Sequence, residues 1–253
     1  MTTRSRRTDA AAAGAFVLAC LPAAAASAEC RPVAHDGAKY TVCEAVAGDD
    51  EVRLWHSDDE GDVLGSFDRI EAHLARDGLT LGFAMNAGMY HPDRSPVGLY
   101  TEEGESQASL VTQPGPGNFG MLPNGVFCVH ANRFSVVETR RFDAAQPDCR
   151  HATQSGPMLV IDGALHPRFL HDSTSRFVRN GVGVSQDGTR AFFAISEHPV
   201  TFYSFGRLFR DKLDTPQALY FDGNVSRLHA PALNRSDWGR RMGPVVGTVR
   251  PAE

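Results

Sequence analysis

Four short segments of the chain set polar side chains where an apolar run meets a glycine turn. Leu81-Gly82-Phe83-Ala84-Met85 leads into Asn86-Ala87-Gly88, and Leu219-Tyr220-Phe221 leads into Asp222-Gly223-Asn224. Gln154-Ser155-Gly156-Pro157 opens one apolar run, and Arg179-Asn180-Gly181 opens another. Strand ends on a rigid scaffold are where side chains are presented to a cleft. The set combines a carboxylate, a guanidinium and several amides. Asp222 can act as nucleophile or base. Arg179 offers a planar fork of donors that suits a phosphate group. Asn86 and Gln154 can hydrogen-bond hydroxyls or phosphate oxygens. Glu197 follows the apolar run 191–195 and is the best second carboxylate, a candidate acid/base.

The elements that must hold these segments are mostly strands. Short apolar runs at 79–85, 157–161 and 218–221 are bounded by turn residues. Asp162-Gly163 and Asp187-Gly188 each join two β-rich runs, the strongest short signal for a hairpin. The runs 126–129 and 134–139 read as another hairpin, 39–44 and 51–55 as earlier strands, and 109–112 as a strand before a Pro/Gly-rich loop over 113–120. Two helices stand out. Ser66 caps one over 67–77, with Ile70 and Leu74 on one face and Gly78 as its stop. Ser204 opens the other, with Phe205, Leu208, Phe209 and Leu213 at helical spacing. The expected fold class is α+β, a single domain of mixed, mostly antiparallel β-sheets with a few packed helices.

The first 28 residues read as a cleavable signal peptide, leaving 29–253 as that domain. Arg4, Arg6 and Arg7 precede an alanine-rich apolar stretch, and Ala26-Ser27-Ala28 gives a small-x-small cleavage site. Arg6-Arg7 hints at the twin-arginine route, and Cys20 at a lipid anchor. Export to the periplasm or outside is therefore expected. Removing 1–28 leaves a net charge of −7, with no basic patch for nucleic acid and no later segment able to span a membrane. Four cysteines then remain: Cys30, Cys43, Cys128 and Cys149. An even count in an exported chain suggests two disulfides. Cys30–Cys43 with Cys128–Cys149 is the simplest pairing, since each closes a short loop, and spacing leaves the other two pairings open.

Other chemistries find little support. Gly115-Pro116-Gly117-Asn118-Phe119-Gly120 spells a dinucleotide fingerprint, but prolines surround it and no helical periodicity follows. It reads as a loop whose glycines permit close backbone approach. The cysteines and the ten histidines lack metal-ligand spacing. The acidic loop 56–62 alternates carboxylates with small residues, as calcium loops do, and reads as a solvated hairpin tip. No cofactor and no metal is expected.

In their order, the four segments resemble the phosphodiester glycosidase family, closest to its bacterial exported branch. The family's Asn-Gly-Gly turn corresponds to Asn86-Ala87-Gly88, followed by Met89-Tyr90. Its Gln-x-Gly-Pro is intact at 154–157, and its Arg-x-(Ala/Gly)-hydrophobic-Gly run stands at 179–183. Its Leu-Asp-Gly-Gly-x-Ser appears as Phe221-Asp222-Gly223-Asn224-Val225-Ser226. The resemblance covers about 79–249. It implies a hydrolase that releases a sugar joined through a phosphodiester. Asp222, Arg179 and Glu197 would be catalytic. Asn86, Gly88, Tyr90, Gln154, Ser155, Gly156, Asn180, Gly223, Asn224 and Ser226 would hold a carbohydrate or sugar-phosphate substrate. Two departures, Ala87 and Asn224, put side chains where the family often has glycine. The alternative is a non-catalytic exported module that binds envelope glycans or anionic polymers with the same side chains.

Overall fold

The computed structural model describes residues 1–2 and 28–252. The leader, its cleavage site and Cys20 lie outside the described residues, apart from Ala28 at the edge.

Three antiparallel sheets make up the fold. The largest has seven strands in the order Glu29–His35, Ala38–Val46, Arg190–Ser196, Asn180–Val184, Gln217–Asp222, Met158–Ile161, Ala164–Leu165. The second runs Arg235–Ser236, Leu228–Ala230, Leu79–Asn86, Val245–Pro251, Glu51–Trp55. The third runs Glu105–Ala108, Tyr100–Glu102, His151–Ser155, Gly125–Val129, Phe134–Glu138. One shared core joins them. Phe83 from the second sheet meets Phe193 of the first at 5.1 Å between ring centroids, and Phe127 of the third meets Phe193 at 5.5 Å. Burying aromatic rings of this size supplies much of the drive to close three sheets on one another.

Each sheet then carries a helix on its other face. Phe67–Leu74 lays Phe67, Ile70 and Leu74 against Leu81 and Val245 of the second sheet. Ser66 caps it, and Gly78 ends the following turn in the left-handed region at φ 68°. Phe202–Arg207 and the wider turn Leu208–Lys212 pack Phe205, Leu208 and Phe209 on the first sheet. Thr139–Ala145 lays Phe142 on the third. Strands covered on both faces lose the apolar/polar alternation, which is why they read as continuous apolar runs.

Both Asp-Gly hairpins and the 126–138 hairpin form as expected. Several elements differ. The second helix starts earlier: Thr201 is its cap, its Oγ1 accepting from the Ser204 N–H at 3.1 Å. The strand expected at 109–112 lies at Glu105–Ala108. Glu29–His35, Val245–Pro251 and the helix Thr139–Ala145 were not anticipated. The first two strands carry polar and charged residues among apolar ones, and the helix is short and mostly polar. The acidic loop is a hairpin-like tip with Asp58 paired to Arg69 and Asp59 to Arg76.

Candidate active site

Asp222 ends a central strand of the largest sheet, with Asn180 opposite it on the neighbouring strand. The next pair across is Gly181 with Tyr220, so Phe221 is an extra residue in the ladder. Such a bulge bends a strand and re-aims the side chains beyond it. Gly181 is required here, because a Cβ would press on the Leu219 carbonyl.

Asp222 is 8% exposed and lines a cavity of about 640 Å³. Its Oδ1 accepts from the N–H groups of Gly223 (2.6 Å) and Asn224 (2.9 Å). The Val225 N–H of the same turn also faces the carboxyl. Burial pushes the carboxyl pKa above its ordinary value, and the turn amides pull it back in part. Tyr90, His91 and Arg94 line one wall, Asn118 and Phe119 from the glycine loop another, and Phe177, Asn224 and Arg240 complete it. The glycine loop closes on itself: Gly120 has no room for a Cβ against Gly115.

The wall at Tyr90 is built with care for charge. Arg94 sits in the left-handed region at φ 79°, its guanidinium 5.3 Å from the Tyr90 ring centroid. His56 Nε2 donates to the Arg94 carbonyl at 2.9 Å, which ties this turn to the acidic loop. Arg94 and Arg240 take part in no ion pair among the described residues. Burial raises the Tyr90 pKa, nearby Asp222 raises it further, and Arg94, Arg227 and Arg240 oppose the rise. These groups therefore share one electrostatic neighbourhood.

Arg179 departs from the expectation of an open fork. It is fully buried and does not line the cavity. Its guanidinium lies 3.6 Å from the Phe202 ring centroid. Nε donates to the Val200 carbonyl (2.9 Å) and Nη2 to the Ser175 carbonyl (3.3 Å), while Nη1 has no partner. The Tyr220 hydroxyl beside it is also unpartnered. Burial pushes the Arg179 pKa down and the Tyr220 pKa up. Gly223 rests directly on that hydroxyl, with no space for a Cβ. The arginine is thus a positive charge beneath the cavity floor, turned inward by two backbone carbonyls.

The amides also turn inward. Asn180 Nδ2 donates to the Asn86 carbonyl (2.7 Å) and to Asn86 Oδ1 (3.1 Å). Asn180 Oδ1 accepts from the Asp222 N–H (3.2 Å), and Asn86 Oδ1 accepts from the Arg227 N–H (3.0 Å). Gln154 Oε1 accepts from the N–H groups of Leu99 and Val111, and its Nε2 donates to the Val111 carbonyl and Thr139 Oγ1. Ser155 Oγ donates to the Phe221 carbonyl (2.8 Å), and Ser226 Oγ to the carbonyls of Asp222 (2.8 Å) and Val178 (2.9 Å). Gly88 and Gly156 pack against Thr153 and Asn124. Asn86, Ser155 and Asn180 therefore frame the Asp222 strand end and Gln154 braces the 99–111 segment, their polar atoms spent on one another, on Thr139 and on backbone.

Glu197 is not brought to the cavity. It accepts from Thr41 Oγ1 (2.6 Å), pairs with Arg235 Nη1 (2.8 Å) and does not line the cavity. Of the sequence candidates, Asp222, Tyr90, Gly223 and Asn224 border the cavity. Arg94, Arg240, His91, Asn118, Phe177 and Tyr220 were missed. Arg94 and Arg240 lie in irregular loops with no periodicity or motif to mark them, and Tyr220 reads as one more apolar strand residue. Cys30–Cys43 and Cys128–Cys149 are both disulfides, in the simplest pairing. His130 Nδ1 lies 3.6 Å from Cys128 Sγ, but sulfurs joined to each other are not metal ligands.

Residues 80–245 match the profile of the phosphodiester glycosidase family. The uncharacterised protein YigE of Escherichia coli (strain K12) is 33% identical over 180 residues, covering 71% of this chain and 70% of its own. In fold, the chain is similar to the catalytic domain of zebrafish N-acetylglucosamine-1-phosphodiester alpha-N-acetylglucosaminidase, a structure auto-inhibited by its pro-peptide. The TM-score is 0.55 at 11% identity, over 87% of this chain and 81% of that one.

Proposed function

Since the chain belongs to the phosphodiester glycosidase family, we propose that it hydrolyses the bond between a sugar's anomeric carbon and a phosphodiester oxygen. One observation carries this reading: Asp222 presents a buried carboxylate to a cavity bordered by Arg94 and Arg240, which make no ion pair among the described residues. Breaking the anomeric C–O bond leaves its electron pair on the phosphate. Water supplies oxygen to the carbon, and the products are a free sugar and a phosphomonoester. The transition state is oxocarbenium-like, and the Asp222 carboxylate stabilises that charge. The leaving phosphate is already a stable anion, so it needs charge neutralisation more than a proton. Arg94 and Arg240 supply it at the cavity wall, and Arg179 adds a fixed positive charge below the floor. Tyr90 and Phe177 offer ring faces to the sugar.

The substrate is a sugar-1-phosphodiester met outside the cytoplasm. The leader-like first 28 residues and the two disulfides support an exported protein. The test is a panel of sugar-1-phosphodiesters with release of free sugar as readout. The mature chain releases sugar from at least one, and Asp222→Asn releases none. Equal turnover by the variant overturns the assignment. A second reading, a glycan-binding module without catalysis, draws on the two turn amides that hold Asp222 Oδ1. It requires saturable binding of the same panel with no chemical change over days.

A further inference from the structure

A cavity of about 460 Å³ lies apart from the one at Asp222 and shares no lining residue with it. Its volume falls in the range of small-molecule sites. Three segments meet there: the turn 36–39 between the first two strands, the loop that carries His171 and Arg176, and the stretch 198–207 that runs into the helix Phe202–Arg207. Hydrogen bonds to backbone fasten them together. The Glu197 N–H donates to the Lys39 carbonyl (2.9 Å). Phe177 and Val200 each donate an N–H to the other's carbonyl (3.2 and 2.8 Å). Arg179 Nη2 donates to the Ser175 carbonyl (3.3 Å), so the backbone is held on both sides of Arg176.

The charge on this wall is unbalanced. Among the described residues, Asp36 is its one carboxylate, and Arg207 is already committed to acids, with Nη1 on Asp36 (2.7 Å) and Nε on Asp211 (2.8 Å). Lys39 and Arg176 make no ion pair and no side-chain hydrogen bond among the described residues. Two positive charges thus face one cavity in a chain whose net charge is negative. Like charges on one concave wall repel, and a dianion between them turns that repulsion into attraction. The neighbouring groups suit the same ligand. His171 and His198 offer ring N–H donors, and Tyr203 and Ser204 offer hydroxyls. His171 stands edge-on to Tyr203 at 5.0 Å between ring centroids. Arginine supplies a planar fork and lysine a point charge, the pair of cations used to hold phosphate oxygens. A phosphate ester carries about −1.5 to −2 at neutral pH and balances both charges, whereas a carboxylate balances one.

We propose that this cavity is a second ligand site, which binds a phosphate dianion between Lys39 and Arg176, as the free ion or as the end group of a small phosphomonoester. The imidazoles and hydroxyls around it take the remaining phosphate oxygens or the hydroxyls of the attached group. The site is separate from the Asp222 cavity, and the inference stands or falls independently of the glycosidase reading.

Titration calorimetry of the mature chain at low salt tests the site, with inorganic phosphate and hexose 6-phosphate as the probes. The expected result is saturable binding of at least one of them, and the tighter of the two identifies the source of the phosphate. Its Kd rises about tenfold or more in Lys39→Ala and in Arg176→Ala, the loss expected when one charged hydrogen-bonding partner is removed. Both side chains are exposed, so the ligand-free variants keep the wild-type melting temperature, which shows that the fold is intact. Arg240→Ala, which alters only the Asp222 side, leaves this Kd unchanged. Acetate and free hexose give no saturable heat at the same concentrations. The proposal is overturned if neither phosphate probe binds, or if acetate binds as tightly. It is equally overturned if Arg240→Ala weakens the binding while Lys39→Ala and Arg176→Ala do not, since the phosphate would then lie in the Asp222 cavity.

Discussion

At the scale of single residues, Asp222 answers to two opposed demands. The chemistry needs it ionised, and its burial favours the protonated form. A buried carboxyl with a raised pKa holds its proton over a window where the unfolded chain has lost it. Its contribution to stability is therefore fully present below the unfolded value near 3.8 and declines as pH rises through the folded pKa. Asp222→Asn removes that decline and keeps an acceptor for the Gly223 and Asn224 amides. The variant is predicted to lose at least about a thousandfold in kcat, as when a nucleophile or key electrostatic group is removed. It is also predicted to melt at a higher temperature than the wild type at pH 7, by roughly 2–4 °C for each kcal/mol gained. Calorimetry beside a kinetic assay checks both. The same shift sets the pH dependence: kcat/KM falls on the acid side with a midpoint above that of an ordinary exposed aspartate, read from a pH profile.

At the scale of elements, the site depends on one sheet junction. The strands Leu79–Asn86, Asn180–Val184 and Gln217–Asp222 are held in register at their ends by the Asn86–Asn180 amide pair and by Ser226. Asn180→Ala leaves Asn86 Nδ2 and the Asp222 N–H buried without these partners, and is predicted to cost about 2–4 kcal/mol in chemical denaturation. Gly181→Ala pushes a Cβ into the Leu219 carbonyl at the bulge. It is predicted to lower both stability and kcat, the latter because Asp222 is re-aimed. A variant with wild-type kcat and a lowered melting point would contradict that role.

These elements also show what a sequence conveys. The hairpins at Asp162-Gly163 and Asp187-Gly188, the helix capped by Ser66 and the four polar segments were legible, because turn chemistry and capping are local. Those segments do converge. Their individual roles were not legible, since whether an amide or guanidinium faces a ligand or its neighbours is decided by strands far apart in the chain. Arg179 and Asn86, whose types suit ligand contacts, turn inward. Arg94 and Arg240, with no motif around them, border the cavity and make no ion pair among the described residues.

At the scale of the whole molecule, net negative charge coexists with a local cluster of arginines. Charged partners in an open cleft are screened by salt, so KM for an anionic diester is predicted to rise several-fold between 0.05 and 0.5 M salt while kcat changes little. The disulfides close segments of 13 and 21 residues, and each is predicted to contribute on the order of 3 kcal/mol. Reductant should lower the melting temperature without altering the cavity, which neither bridge lines. The central claim concerns which bond breaks, and hydrolysis of a sugar-1-phosphodiester in ¹⁸O-labelled water reads it directly. Attack at the anomeric carbon puts the label in the free sugar and leaves the phosphomonoester unlabelled. Label in the phosphate would mean cleavage at phosphorus and would contradict the account.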